Sequence, residues 1–212
     1  MTKKEMLVEN LKSMMKYKEK KSKDLFVESF CTILPSKTRV IVILAILSIL
    51  IYPIHICIQS NNTILYIKQV VEASNNIIMA LFAIVFTGYA LFQALINKNT
   101  LKNLFLDRKE DKFNKFTEYN LYFFGLSIIY IGLILFNFIL NFILSIDINY
   151  SFLGNMKDYI IWVFIYCYLG VNLFAITEVK SFIYNLFQCF NISAISTMID
   201  NLKNYDDNLH EK

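Results

Sequence analysis

Among the stretches of this chain that contain no Asp, Glu, Lys or Arg, four are long and strongly apolar: Val40 to Ile58, Ile77 to Ile96, Leu121 to Ile146 and Tyr159 to Thr177. A helix rises about 1.5 Å per residue and the hydrocarbon layer is about 30 Å thick, so roughly 20 residues cross it. Each stretch is long enough, and the third, with 26 residues, predicts tilt or protrusion. Composition agrees, since 56% apolar residues with 19 Phe and 13 Tyr exceed what a water-soluble domain of this size carries. The expected fold is an all-α integral membrane protein with four transmembrane helices and cytoplasmic helical extensions. Its expected parts are a basic, amphipathic region over 1–39, a four-helix membrane domain over 40–177 and a C-terminal extension over 178–212. The spans fall at about 40–58, 77–96, 121–146 and 159–177. A cleaved signal peptide is not expected, because 39 residues precede the first span and "HICIQSNN" lacks a small-x-small cleavage pattern.

Basic residues near membrane ends are retained on the cytoplasmic side. Ten lie before the first span, six between spans two and three (Lys98, Lys102, Arg108, Lys109, Lys112, Lys115), and Lys180, Lys203 and Lys212 follow the fourth. Only Lys68 and Lys157 fall in the other two connections, so nineteen of twenty-one share one side. Both termini are therefore expected in the cytoplasm and the protein in the cell inner (plasma) membrane. The net charge of +4 reflects this sidedness and contact with anionic lipid. No nucleic-acid-binding motif accompanies it.

The outer face is expected to consist of Gln59 to Asn76 and Asp147 to Asp158, with sequons at Asn61 and Asn149 that a chain so rich in Asn forms by chance. Most polar material lies on the other side. Leu7, Leu11, Met14 and Met15 make a weak stripe before a Lys-rich run, and Leu25, Phe26, Phe30, Ile33 and Leu34 recur at helical spacing before Pro35. That second segment reads as an interfacial helix, or as a docking helix for a partner. Helix two is expected to run on through Leu101, Leu104, Phe105 and Arg108, for want of a Gly or Pro to stop it. Helix four is expected to continue as a partner-docking stem bearing Ile192, Ile195, Ile199 and Leu202, and the last ten residues to fray.

Within the spans, Ala73, Asn76, Ala80, Ala83, Thr87, Ala90 and Ala94 recur at 3-4-3-4-3-4 spacing, a heptad seam of small residues with Gly88 beside it. Small side chains let helix backbones approach where lipid supplies little hydrophobic force. The plainer reading packs this seam within the chain; the alternative is a subunit interface. Asn137, Asn141 and Ser145 form a polar row on helix three, and Gly125 and Gly132 a separate small face. The row is expected to be buried, as interhelical hydrogen bonds or, alternatively, as a pore lining.

Enzyme chemistry finds no support. His55 and His210 are expected on opposite sides of the membrane, Cys31, Cys57, Cys167 and Cys189 form no C-x-x-C, and the five Gly make no phosphate loop. No cofactor or metal is expected. The favoured function is a non-enzymatic anchor or sensor platform that forms a homo-oligomer in the bilayer and recruits a cytosolic protein partner. The alternatives are a membrane-disrupting effector or small channel, and an immunity protein against a membrane-active toxin. A setting in microbial conflict or antiphage defence rests on analogy of architecture alone.

Overall fold

Seven α-helices make up the described residues, 3–60, 62–106, 114–146 and 157–210, of a computed structural model. They are α1 (Lys3–Glu19), α2 (Ser22–Ile33), α3 (Lys37–Gln59), α4 (Thr63–Leu95), α5 (Lys98–Leu106), α6 (Lys115–Leu144) and α7 (Lys157–His210). Four of them, α3, α4, α6 and α7, are long and apolar enough to cross a membrane. Arg108, Lys109, Lys112, Asn61 and Asn149 lie outside the described residues.

The helix boundaries have local causes. Pro35 bars helix before it, and the Ser36 hydroxyl accepts from the Arg39 N–H to cap α3. Gln59 to Asn76, expected as an outer loop, is largely helix: α4 starts at Thr63, whose hydroxyl lies 2.7 Å from the Ser60 carbonyl. Helix two does not run on as expected. It stops at Leu95, and the Asn97 side-chain oxygen accepts from the backbone N–H of Asn99 (3.1 Å) and Thr100 (2.8 Å), which starts α5 as a new helix. An Asn that caps a new turn competes with continuation without any Gly or Pro. Asn114 does the same for α6 by accepting from the Thr117 N–H at 2.9 Å. By contrast α7 is unbroken for 54 residues, and the tail expected to fray is helical as far as His210.

The chain falls into two units, residues 1–33, 85–126 and 180–212, and residues 34–84 and 127–179. This division cuts through α4, α6 and α7. In the first unit Phe92 is buried among the rings of Tyr89, Phe116, Tyr119 and Phe123, and Phe123 meets Phe182 edge-on at 5.5 Å. In the second unit Ile54, Ile58 and Ile165 form one buried cluster, with Trp162 stacked on Tyr166 at 4.5 Å and the Tyr166 hydroxyl donating to the Leu47 carbonyl at 2.6 Å.

Candidate functional site

The small-residue seam turns away from the chain. Ala73, Asn76, Ala80, Ala83, Thr87, Ala90 and Ala94 are all exposed, while Val71, Ile78, Val85 and Phe92 are fully buried at intervals of seven. The expectation that the seam packs inside the chain is thus corrected. Two residues advance a helix by about 200°, so stripes offset by two occupy opposite faces with the same period. The larger side chains win the interior because they make more dispersion contacts per residue. Gly88, beside the seam, does lie at a close approach: the ring of Phe182 occupies the place a β-carbon would take, with its Cε1 3.0 Å away. Gly125 is equally crowded, by Ser29 and Ile33 of α2, whereas Gly132 faces open space, so the two do not form one packing face.

The polar row divides. Asn137 is buried and its Oδ1 accepts from the Tyr168 hydroxyl at 3.0 Å; Asn141 is half-buried; Ser145 is exposed and its hydroxyl returns to the Asn141 carbonyl at 2.8 Å. The row is therefore not buried throughout, as expected, because steps of four residues rotate the face by about 40° each. Asn172 joins the buried end by donating to the Tyr168 carbonyl at 2.9 Å, and Tyr130 donates to the Ala175 carbonyl at 2.9 Å. Asn137 Nδ2 and Asn172 Oδ1 have no hydrogen-bond partner among the described residues.

A charged pair joins the ends of two spans, and the sequence reading did not bring its members together. The Glu178 carboxylate is wholly buried and pairs with the partly exposed Arg39 guanidinium on the first turn of α3. The signal that could have found it was a lone acidic residue at the end of one span, with a lone Arg at the start of another.

The stem is polar on its covered side and apolar on its open side. Ser193 donates to the Leu95 carbonyl at 3.2 Å, and Asn103 donates to the buried Ser196 hydroxyl at 2.7 Å. Ile195, Ile199 and Leu202 are exposed and Ile192 is half-buried. Cys189 is buried on the covered side. No group of three or more metal-ligating side chains occurs among the described residues. Comparison with protein-family models, curated proteins and solved structures finds no match for this chain.

Proposed function

We propose that this chain is an oligomeric multi-pass membrane platform which presents a helical stem to a cytosolic protein partner. The observation that carries this reading is the length of α7 together with the character of its open face. Fifty-four unbroken residues rise about 80 Å, against about 30 Å of hydrocarbon. The apolar stripe of Ile195, Ile199 and Leu202 therefore continues well beyond one bilayer, where an exposed apolar surface calls for a protein to cover it. The outward face of α4 supports self-association, because a heptad of small residues lets two copies approach closely in lipid. Several copies would multiply the stems and raise the effective concentration of weak contacts to about millimolar.

Substituting Ile195 and Leu202 with Asp places charge on the stripe, and is expected to abolish recovery of the partner in pull-downs while membrane insertion persists. If purified protein alone conducts ions in planar bilayers, and Asn137→Leu with Asn141→Leu removes the current while the stem changes do not, the platform fails and the pore-forming effector replaces it.

Two further outcomes are expected. Ala83→Leu or Ala90→Leu should disperse the oligomer on size-exclusion with light scattering and leave the thermal stability of the single chain unchanged, since these side chains face outward. Loss of stability equal to loss of assembly would move the seam back inside the chain. A periplasm-only reporter fused after Lys212 should be silent, and activity there would reverse the cytoplasmic assignment of the termini.

A further inference from the structure

The part of α4 that runs beside α3 and α7 is not the stretch that hydropathy alone marks out. In the unit made of residues 34–84 and 127–179, α4 contributes residues 63–84, which rise about 33 Å and include Lys68 and Glu72. Two contacts set their depth. Ile67 packs on the cluster of Ile54, Ile58 and Ile165, at the outer end of α3, and the side chains of Ser74 and Tyr168 are hydrogen-bonded. Tyr168 is the centre of the charge-free stretch from Tyr159 to Thr177, nine residues from either end. With α3 and α7 read as membrane spans, Ser74 lies in the middle part of the hydrocarbon. Glu72, two residues before it, is only about 3 Å of helix rise away.

Glu72 is exposed on the surface of the chain. So are Gln69, Ala73, Asn76 and Ala80, which share the outward side of α4 with it. Among the described residues, no side chain of Gln69, Glu72 or Asn76 takes part in a hydrogen bond or an ion pair. Lys68 is half-buried and one turn nearer the outer end, and its long side chain leans that way, so its ammonium reaches the headgroups. Glu72 is deeper and too short to do the same. Acyl chains offer a carboxyl and two carboxamides nothing, and such groups within a bilayer face protein or water and take partners there.

Three properties of this patch select a second copy of the chain as its cover. Copies inserted in one orientation carry these residues at one depth, so their polar groups meet without any adjustment. The patch is self-complementary, because the carboxylate accepts while the carboxamides three residues before it and four after it donate. It also continues the small seam, since Gln69 precedes Ala73 by four and Asn76 follows it by three. In a parallel pair with this period, Ala73 of one helix enters the hole formed by Gln69, Glu72, Ala73 and Asn76 of the other. A methyl group in that hole lets the polar side chains around it reach the facing helix.

We propose that Gln69, Glu72 and Asn76 form a polar contact between two copies of this chain inside the bilayer, in which the carboxamides of one α4 donate to the Glu72 carboxylate of the facing one. This rests on the reading of the chain as a self-associating membrane protein, and it adds the chemistry that fixes the register. Small residues alone permit close approach at several registers; a carboxylate and its donors are satisfied at one.

The test uses the full chain in lipid vesicles, with the four native cysteines replaced by alanine. Ala73→Cys should form a disulfide-linked dimer on mild oxidation, and Leu44→Cys, exposed on α3, should not. Equal cross-linking at both positions overturns the contact. Adding Glu72→Leu, or Gln69→Leu with Asn76→Leu, should lower the association constant about tenfold, read from the dependence of cross-linking on lipid dilution. Glu72→Gln keeps an acceptor and should lower it much less. Unchanged or tighter association in Glu72→Leu, with Ala83→Leu still dispersing the oligomer, overturns the polar contact and leaves self-association standing. A native chain that is monomeric at every dilution overturns both. The depth has its own readout: in the Glu72→Leu background Ala73→Cys should resist a membrane-impermeant maleimide that labels Asn62→Cys. Equal labelling places residue 73 in water and overturns the contact within the bilayer.

Discussion

Arg39→Ala should be among the most damaging single substitutions in this protein, lowering stability by about 3–5 kcal/mol. The wholly buried Glu178 carboxylate would lose its counter-ion at a place that water does not reach. The two partners should differ in their effects. Glu178→Leu leaves an arginine that is already partly exposed and can turn outward, so it should cost clearly less than Arg39→Ala. The double change to Arg39→Leu and Glu178→Leu should restore most of the loss, because a buried ion pair gains little over well-packed apolar side chains. Thermal unfolding in a mild detergent, followed by helical circular dichroism, gives all three values. Equal losses from the two single changes, adding fully in the double, would show that the charges do not act as a pair.

Gly88→Leu is the second large effect expected, at about 1–3 kcal/mol for overpacking. The Phe182 ring already occupies the position of the first added carbon, and that ring is itself buried against Phe123, so it has little room to give way. Gly132→Leu meets nothing within 4 Å and is the matched control, expected to be nearly neutral. Phe182→Ala combined with Gly88→Leu should recover part of the loss that Gly88→Leu causes alone, since each then fills the space the other vacates. Absence of any recovery would place the clash elsewhere than at Phe182.

These two sites differ in how much the sequence revealed. Gly88 is legible in the sequence as a small residue beside a heptad, but its partner, the Phe182 ring, is not. Arg39 and Glu178 lie 139 positions apart, and nothing local to either names the other. The break after Leu95 was also legible in principle, because Asn97 is a strong capping residue, yet an uninterrupted apolar phase through Leu101 and Phe105 argues equally for one long helix.

By itself the amino-acid sequence determined the helical character, the number of segments long enough to cross a bilayer, and the two stripes of period seven on α4. These properties depend on hydropathy and spacing along one strand of chain, and they survive whatever the neighbours do. Only the tertiary structure decided which stripe faces inward, and it chose Val71, Ile78, Val85 and Phe92 over the small seam. It likewise set the polar side of the stem against α5 and left Ile195 and Leu202 outside. The physical reason is that in lipid apolarity no longer separates inside from outside. Van der Waals fit and the pairing of buried polar groups then make the choice, and both belong to pairs of residues distant in sequence.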